Sequence, residues 1–462
     1  MSKRLPGCEL TVEQLLPSLE RMREFLKPFA ASLARIEQKR TLEVCVRGRL
    51  SALERRTLEP IAKAHRLPRR PIQRFVGDGP WDWRPMIGEL RAEVVEHLGD
   101  ADAVLTVDPS GFPKKGEGSV GVARQWCGRL GKVENCQKGV YLSYASPRGF
   151  ALVDFGLYLP REWADDAGRR ARCHVPEEIE FQTCQRIAEH LVLTASSMPH
   201  SWVTADQEFG RDGEFRRSLR FYDERYLLEV PSNLRVVPRE SSAGSRVRRP
   251  NPAASPQRPL TARAWADAQD KRTWARFVVR DGQKGPIRVR AAVVPVLTRN
   301  SHEDEFRARE RLVVIQTMGG RRERRCCLTN ASDDVPLETL ARVAASRHHI
   351  EEALETAKSD VGLDEYEVRS WVGWHHHMAI ALIAAWFLTL ERIRLGGKNA
   401  RHHRLANAPS DRVHDPASAV APAGDRGARL RATRSQRARS ARPLAPGGPS
   451  AAARRPAQGA AT

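Results

Sequence analysis

The stretch Ala103-Val-Leu-Thr-Val-Asp108-Pro-Ser-Gly-Phe-Pro-Lys-Lys-Gly116 is the most informative part of this sequence. A short apolar run ends in a carboxylate, and residues that favour turns follow at once. This order is typical of a buried strand that carries an acidic side chain to the edge of a sheet. The stretch Trp202-Val-Thr-Ala-Asp206 repeats the arrangement further along the chain. The sequence therefore predicts two aspartates, Asp108 and Asp206, at the ends of two strands.

Apolar patterns around these aspartates predict a mixed α/β domain that begins near residue 101. Strands are expected over 103–108, 133–144, 150–159, 201–206 and 226–230, and helices over 176–194 and 214–219. Three strands, a helix, a strand, a helix and a strand is the element order of a ribonuclease-H-like fold, in which helices pack on a mixed sheet. We therefore predict an α/β (α+β) fold of this type, with its first part over 101–231.

The pattern of strands resumes after a segment of different composition. Residues 232–265 are rich in Ser, Arg and Pro, which indicates an exposed excursion. Further strands are expected over 273–279, 286–297 and 310–317, so we interpret 232–336 as a β-rich insertion within the sheet domain. Helical periodicity returns over 337–358 and 378–390, which assigns 337–395 to the last part of that domain. The apolar run over 378–390 is too short to span a bilayer and is expected to be a buried helix.

Residues 1–100 carry helical patterning and are expected to form a helical DNA-binding domain. Two short helices flank a turn that contains Pro68, and the second helix carries Arg69, Arg70 and Arg74. This pattern is compatible with a helix-turn-helix that contacts DNA. A plain helical hairpin with a solvated basic face fits the same residues, because charge alone is weak evidence for a helix that reads a DNA groove.

The net charge of the 462-residue chain is +21, which indicates a polyanionic partner such as nucleic acid. Residues 401–462 contribute +9 of this charge, so the first 400 residues are basic as well. From residue 396 onward the chain is mostly Arg, Ala, Pro and Gly. Such a composition cannot bury enough apolar surface to fold, and we expect a disordered tail over 396–462.

The cysteines and the first residues of the sequence bear on the cell compartment. The eight cysteines include no C-x-x-C pair, which argues against a disulfide framework or a zinc knuckle. The opening Met-Ser-Lys-Arg-Leu-Pro lacks the apolar segment of a signal peptide. We therefore expect a cytoplasmic protein, associated with the nucleoid, that has no membrane partner.

Two strand-terminal carboxylates suit the chemistry of phosphodiester bonds. Hydrolysis and strand transfer use two divalent cations about 3.5–4 Å apart, one at the attacking oxygen and one at the leaving oxygen. Carboxylates supply the hard oxygen ligands that Mg²⁺ prefers. If the strands of Asp108 and Asp206 are neighbours, both carboxylates lie at the same sheet edge. A third carboxylate ligand is then expected from a helix that follows the insertion.

The segment from Arg347 to Lys358 contains the best candidate for the third ligand, Glu351. On a helix, Glu351 is about 40° and Lys358 about 20° round from Arg347, so the three share a face. A metal ligand would then lie between two cations that bind phosphate. Plain structural interpretations remain open at this point. A strand-terminal Asp is usually a turn or cap residue, and an Arg–Glu pair one turn apart is usually a surface ion pair.

Two further groups of residues have more than one interpretation. Lys114 and Lys115 follow the first strand, and they either touch the DNA backbone or belong to a solvated turn. The run of three histidines at 375–377 suggests a metal site. Three consecutive helical side chains spread too widely to converge on one ion, so we expect these histidines not to bind zinc. Trp371 and Trp374 beside them are expected to pack in the core.

Several longer motifs resemble one protein family. They are Val107-Asp108 with Gly111-Phe-Pro-Lys-Lys-Gly116, Ser119-Val-Gly-Val-Ala-Arg-Gln125, Leu157-Tyr-Leu-Pro160 with Trp163, and Gly362-Leu-Asp-Glu-Tyr-Glu-Val-Arg-Ser-Trp371. Over residues 15–392 the sequence resembles transposases of bacterial insertion sequences, in the DDE superfamily endonuclease group. The resemblance implies a ribonuclease-H-like catalytic domain with an inserted β domain.

The resemblance also implies an activity and a set of site residues. Asp108, Asp206 and Glu351 would be the catalytic and metal-binding triad, which holds two Mg²⁺ ions, or Mn²⁺ in their place. Arg347 and Lys358 match the Arg and Lys of the family's Tyr–Arg–Glu–Lys helix signature and would bind phosphate. The enzyme would nick the ends of an insertion sequence and transfer the freed 3′-hydroxyl to target DNA. Its partners would be terminal inverted repeats, target DNA and a second copy of the chain in a synaptic complex.

Three positions depart from the family pattern. The Tyr of the helix signature is Ala344, the residue after the first aspartate is Pro109, and Cys184 stands where relatives tend to have Lys. Two alternatives therefore stand beside an active transposase. One is a decayed, non-catalytic copy that only binds DNA. The other is a nuclease of the same fold that cuts without strand transfer.

Overall fold

The apolar run that ends in Asp108 forms a central strand of a large mixed sheet in this computed structural model. The structure describes residues 17–239, 258–282, 285–299, 307–319 and 323–395. The tail predicted over 396–462 and much of the excursion predicted over 232–265 lie outside these residues. Within the described part, the fold is a mixed α/β arrangement of helices on one extended sheet.

The first four strands of this sheet follow one another, helices separate β4 from β5 and β5 from β6, and most of the later strands again follow one another. The strands are β1 Val104–Pro113, β2 Ala123–Cys127, β3 Lys132–Ser146, β4 Gly149–Tyr158, β5 Trp202–Ala205, β6 Tyr226–Val230, β7 Arg235–Pro238, β8 Leu260–Thr261, β9 Ala275–Gly282, β10 Gly285–Thr298, β11 Ala308–Met318 and β12 Arg324–Thr329.

The helices fall into an N-terminal group, a group between the strands and a C-terminal group. They are α1 Ser18–Ala31, α2 Ile36–Arg49, α3 Leu58–Ala64, α4 Arg69–Gly77, α5 Arg84–Leu98, α6 Arg161–Ala164, α7 Ala167–Arg172, α8 Cys184–Thr194, α9 Gln207–Gly210, α10 Gly213–Phe221, α11 Ala262–Asp267, α12 Leu337–Ser346, α13 His348–Val361 and α14 Trp371–Arg394, with a short 3₁₀ turn at Lys271–Thr273.

The middle of the sheet combines antiparallel and parallel pairs. β3 pairs antiparallel with both β4 and β1, which lie on its two sides because the same β3 residues face each of them. β1 then pairs parallel with β5, and β5 pairs parallel with β6. The resulting order is β4-β3-β1-β5-β6. From β6 the sheet continues antiparallel through β12, β11 and β10, with β7 and β9 beside β10. The strands of the predicted insertion are thus part of the same sheet.

Alternation along the parallel strands separates two apolar faces. Val107 belongs to a core that also contains the N-terminal helices and α14. Val104 points to the other face and packs with Trp202 and Leu227 beneath α12. Side chains two residues apart on a strand share a face. Asp108 therefore lies on the face that α12 covers.

Three sequence predictions need correction at the level of elements. The strands β2 and β12 were not predicted, and both lie in short polar-rich stretches whose pairing depends on the neighbouring strands. The helix predicted over 176–194 begins only at Cys184, because Thr183 caps it by accepting a hydrogen bond from the Arg186 backbone N–H. The helix predicted over 337–358 is two helices that meet at Arg347. The break lets α12 pack on β5, β6, β9 and β10 while α13 packs on β1, β3 and β4.

The N-terminal helices share one hydrophobic core with the central sheet. Leu26 of α1, Val46 of α2 and Val76 of α4 are buried in the same cluster as Trp374 and Trp386 of α14. In the described residues, the helices of the domain predicted over 1–100 therefore share the core of the sheet. No helix among the described residues is both long enough and apolar enough to cross a membrane.

Candidate active site

The two predicted aspartates lie side by side just past the last β1–β5 pair. The strand end predicted at Asp108 is wrong, because β1 continues to Pro113 through its pairing with β3. Val107 of β1 is paired with Ala205 of β5, and each is followed directly by an aspartate. The preceding pair on these strands is Thr106 and Thr204, whose hydroxyls are hydrogen-bonded at 2.7 Å. The strand register therefore brings the Asp108 and Asp206 carboxylates to one edge and one face of the sheet.

The charge of Asp108 is poorly compensated at this edge. Burial raises its pKa to about 8, and the neighbouring charge of Asp206 acts in the same direction. Arg347 and Lys358 oppose these effects without cancelling them. A carboxyl group with so high a pKa lies in a pocket that favours either a proton or a cation.

Asp206 also serves as a helix cap. Its Oδ1 accepts a hydrogen bond of 2.9 Å from the Glu208 backbone N–H at the start of α9. Burial raises the pKa of Asp206, and the charge of Glu208 adds to this rise. The plain interpretation of a strand-terminal aspartate as a cap is therefore correct for one oxygen of Asp206. That role leaves the other carboxylate oxygen for a ligand.

Arg347 lies among three carboxylates. Its Nη1 is 3.5 Å from Asp108 Oδ1, its Nε is 3.5 Å from Glu229 Oε2, and its Nη2 is 2.6 Å from Glu351 Oε1. Burial alone would lower the pKa of Arg347, but the surrounding carboxylates, Glu351 foremost, raise it above its ordinary value. The guanidinium is therefore a fixed positive charge at the junction of α12 and α13.

Lys358 reaches the same strand from one end of α13. Its ammonium donates a hydrogen bond of 2.7 Å to the Ser110 hydroxyl, two residues after Asp108 on the same face of β1. Burial lowers the pKa of Lys358. The structure thus places Arg347, Glu351 and Lys358 along the face of β1 that carries Asp108.

Two acidic residues near the aspartates were missed in the sequence. Glu229 of β6 and Glu208 of α9 both contribute charge to the neighbourhood of Asp206. Glu208 forms an ion pair of 2.6 Å with Lys138 of β3. The sequence signal for Glu229 is weak, because Val230 continues the apolar strand beyond it and no turn residue follows Glu229 directly.

The carboxylates suit divalent cations in their chemistry. The two partly buried aspartates both have raised pKa values, and a hard cation would neutralise the negative charge that they carry once deprotonated. Glu351 lies on the same face, but it is half exposed and held by Arg347. In this arrangement no three His, Cys, Asp or Glu side chains of the described residues are close enough to hold a metal ion. The aspartate pair therefore fits a divalent cation, and Glu351 joins it only by leaving Arg347.

The two lysines after β1 differ in their surroundings. The Lys114 ammonium lies 3.3 Å from the centre of the Tyr366 ring and donates a hydrogen bond of 3.4 Å to the Tyr366 backbone oxygen. Burial lowers the pKa of Lys114 to about 8. These contacts show that Lys114 is not part of a solvated turn, and its predicted contact with DNA stays a prediction. Lys115 is exposed, so both DNA contact and a solvated turn stay open as predictions for it.

The three arginines of the predicted second helix lie on its exposed face. Arg69, Arg70 and Arg74 of α4 are all exposed, while Ile72 and Phe75 are buried on the other side. The side chain of Arg69 is paired with Glu59 at 3.0 Å. The helix pair α3–α4 therefore presents a basic surface, far in sequence from the aspartate pair.

The histidines at 375–377 are buried structural residues. The two ring nitrogens of His376 lie 3.1 Å from the Val76 backbone oxygen and 2.8 Å from the Trp81 backbone oxygen, and the neutral ring donates its single N–H to one of them. The ring also stacks on Trp81 with centroids 3.6 Å apart. His377 bonds to Arg49 at 2.8 Å and to the Leu363 backbone oxygen at 2.9 Å. These contacts involve both ring nitrogens of His376 and of His377, and Nδ1 of His375 contacts the Trp371 backbone oxygen at 2.8 Å.

The positions that depart from the family pattern have local explanations. Pro109 lies just past the last β1–β5 pair, so its missing N–H removes no bond to β5. Ala344 packs in the apolar cluster beneath α12. Cys184 is the first residue of α8 and lies near Lys138, whose charge lowers the raised pKa of the buried thiol. None of the three substitutions disrupts the aspartate pair.

The chain is similar in sequence to a curated transposase and in structure to a nuclease. A probable transposase for insertion sequence element IS701 from Microchaete diplosiphon is 29% identical over 205 residues, which are 42% of this chain and 50% of that protein. The chain thus matches about half the length of this curated relative. The NurA nuclease from Sulfolobus solfataricus is a structural neighbour at 9% identity and a TM-score of 0.24, over 60% of this chain and 91% of that one. An identity and a TM-score as low as these support no inference about this chain.

The family comparison covers a larger part of the chain. The family model of the DDE superfamily endonuclease matches residues 28–286, more than half of the sequence. The match includes Asp108 and Asp206 and ends before Arg347. The chain belongs to the DDE superfamily endonuclease family.

Proposed function

We propose that the chain is a DNA transposase of an insertion sequence, built on a ribonuclease-H-like core. The strand order β4-β3-β1-β5-β6, with only β3 antiparallel to its neighbours, supports this core. The observation that carries the proposal is the register of β1 and β5, which sets Asp108 beside Asp206 at one sheet edge. The domain assignments 1–100, 101–231, 232–336 and 337–395 remain part of this proposal.

Asp108, Asp206 and Glu351 are the residues that would hold the divalent cations, and members of this family generally use such ions. When bound, Mg²⁺ or Mn²⁺ would activate the attacking oxygen and neutralise the leaving oxygen. Arg347 and Lys358 flank the aspartates and would hold non-bridging phosphate oxygens through charge-assisted hydrogen bonds. Asp206 is already oriented by its bond to the Glu208 backbone, so it would meet its ligand with little reorganisation.

Two successive substitutions at phosphorus make up the reaction. In the first, water attacks a phosphodiester at the element end, the P–O3′ bond breaks, and a 3′-hydroxyl is released. In the second, that hydroxyl attacks a phosphodiester of target DNA and displaces another 3′-oxygen. The terminal inverted repeats would be bound by the basic surface of α3–α4, and a second copy of the chain would bring the two ends together.

A nicking assay tests the proposal. The protein is incubated with a labelled duplex that carries the inverted repeat flanking its gene, in Mg²⁺ or in EDTA. Asp108→Asn is compared with Asp102→Asn, an equivalent change on the exposed turn before β1. We expect metal-dependent nicking at the repeat end, lost in Asp108→Asn by at least about a hundredfold and retained in the control.

The other outcomes separate the alternatives. Nicking without joining to a second duplex would indicate a nuclease that lacks strand transfer. Binding of the repeat without nicking would indicate a non-catalytic protein that retains DNA recognition. Equal nicking by both aspartate variants would contradict the assignment of the active site.

A further inference from the structure

A third acidic residue lies in line with the two aspartates. Ala205 of β5 is paired with Val107 on one side and with Leu228 of β6 on the other. The next residue on the three strands is Asp108, Asp206 and Glu229. Adjacent strands are about 4.8 Å apart and residues in register share a face. The parallel part of the sheet therefore presents a row of three carboxylates at one edge.

Glu229 is partly buried and close to Arg347. Only 21% of its side chain is exposed, and its Oε2 lies 3.5 Å from Arg347 Nε. Burial raises the pKa of Glu229, while the charge of Arg347 lowers it. Arg347 Nε is itself buried and makes no hydrogen bond of good geometry with the described residues. A buried N–H of a charged group needs an acceptor, and Glu229 is the acceptor within reach.

The three guanidinium nitrogens of Arg347 each face a different carboxylate. Asp108 and Glu351 are the partners of Nη1 and Nη2, and both are proposed ligands of divalent cations. Binding of cations would withdraw these two partners from Arg347. The guanidinium would then lie next to additional positive charge, with Glu229 as its remaining carboxylate partner among the three.

We propose that Glu229 is a positioning residue of this site. It holds Arg347 from the β6 side and keeps the guanidinium beside Asp108 when Asp108 and Glu351 bind cations. The inference rests on the proposed function, because Arg347 needs this anchor only if cations occupy the aspartates. Glu229 acts through Arg347 and is not itself a ligand of the cation.

A double-mutant cycle tests this assignment. The variants are Glu229→Gln, Arg347→Ala and the two together, with Glu355→Gln as a matched control on the exposed face of α13. The glutamine has the size of the glutamate and removes only the charge. Three quantities are measured for each protein: the nicking rate in saturating Mn²⁺, the Mn²⁺ affinity by electron paramagnetic resonance, and the affinity for the repeat duplex in Ca²⁺. Thermal unfolding shows that each variant is folded.

The expected result is non-additive. Glu229→Gln lowers the nicking rate and the duplex affinity by about tenfold, the effect of one charge-assisted contact. In the Arg347→Ala background it lowers them by less than about twofold, since the residue it acts through is absent. The Mn²⁺ affinity of Glu229→Gln stays within about threefold of the wild type, because the carboxylate is not a ligand.

Three results would overturn the inference. The first is a tenfold loss of nicking rate and duplex affinity on Glu229→Gln that persists in the Arg347→Ala background. The second is a tenfold loss of Mn²⁺ affinity in both backgrounds, which would make Glu229 a ligand. The third is a Glu229→Gln protein that matches the Glu355→Gln control. If the wild type does not nick at all, the proposed function fails, and the duplex-affinity cycle still decides whether Glu229 acts through Arg347.

Discussion

At the scale of single residues, the site is defined by uncompensated negative charge. Asp108 carries the largest electrostatic penalty, because burial and the charge of Asp206 both favour its protonated form. Arg347 reduces the penalty but is shared with Glu229 and Glu351. Residues arranged in this way lower the stability of the folded protein and prepare it to bind a ligand.

Asp108→Asn is expected to stabilise the metal-free protein at high pH. The folded pKa of Asp108, about 8, is above the ordinary value of 3.8, so the folded state binds more protons than the unfolded state between these values. The contribution of Asp108 to stability therefore falls as the pH rises through this window. At pH 8.5 in EDTA we expect the variant to melt about 1–3 °C above the wild type. The difference in melting temperature between the variant and the wild type should disappear toward pH 4. A variant that melts below the wild type at both pH 8.5 and pH 4 would contradict this prediction.

Lys114 is expected to contribute to stability more than to DNA binding. Its ammonium lies over the Tyr366 ring, a contact of about 1–2 kcal/mol when partly desolvated. Lys114→Met should lower the free energy of unfolding by about this amount, measured in urea, while duplex affinity changes little. Lys115→Ala is the matched control and should leave stability unchanged. A Lys114→Met protein of unchanged stability but weaker DNA binding would instead support the predicted contact of Lys114 with phosphate.

At the scale of elements, the site depends on where strands and helices end. β5 stops at Ala205, which lets Asp206 turn out of the sheet and cap α9. α12 and α13 meet at Arg347, and this places the guanidinium above the carboxylate row. Away from this edge, α3 and α4 form the basic helical hairpin whose arginines are exposed.

The arginines of α4 are expected to contribute unequally to DNA affinity. Arg70 and Arg74 form no ion pair with the described residues, whereas Arg69 is paired with Glu59 at 3.0 Å. Each lost phosphate contact lowers the slope of log affinity against log salt by about 0.9. Arg70→Ala and Arg74→Ala should each show about this reduction, and Arg69→Ala a smaller one. Arg40→Ala, an exposed change on α2, is the control. Equal slopes in all four variants would exclude α4 as the DNA-binding surface.

At the scale of the whole molecule, one core joins the N-terminal helices to the sheet. α14 lies at its centre, with Trp374 and Trp386 buried against both. Its three consecutive histidines are uncharged inside this core, because burial lowers the pKa of His375 to about 3 and of His376 to about 4, and lowers that of His377 as well. His376 contacts α4 and the segment before α5, and His377 bonds to Arg49 of α2, so these two histidines link the N-terminal helices to α14.

Acid is expected to unfold the two parts together. The folded pKa values of the three histidines are below the ordinary 6.5, so the unfolded state binds more protons as the pH falls from 6.5 toward 4. Each histidine then removes up to about 1.4 kcal/mol of stability per pH unit. The raised carboxyl pKa values of Asp108, Asp154, Asp206 and Glu229 act in the opposite direction and offset part of the histidine effect.

Urea unfolding at pH 7, 6 and 5 measures this effect, followed by circular dichroism and by tryptophan fluorescence. The two probes should show the same transition, and its midpoint should fall with pH. His376→Leu should reduce the pH dependence, whereas His174→Gln, an exposed control, should not. Separate transitions for helix content and tryptophan burial would contradict a single shared core.

Local patterns were sufficient to predict much of the site. The strand that leads to Asp108, the strand that leads to Asp206, and the grouping of Arg347 with Glu351 all follow from apolar runs and helical spacing. The short strands β2 and β12 could not be predicted, since their pairing depends on strands distant in sequence. Glu229 could not be ranked above other glutamates, because its importance comes from the register of β5 and β6.

The sequence by itself determined the family, the basic character of the chain and the two aspartates that directly follow the apolar runs of β1 and β5. These properties depend on residue type and on spacing along the chain. Only the tertiary structure decided that Arg347 stands between Asp108, Glu229 and Glu351, that Lys114 faces Tyr366, and that the N-terminal helices share the core of the sheet. Each of these depends on contacts between residues far apart in sequence, whose partners are chosen by how the strands and helices pack.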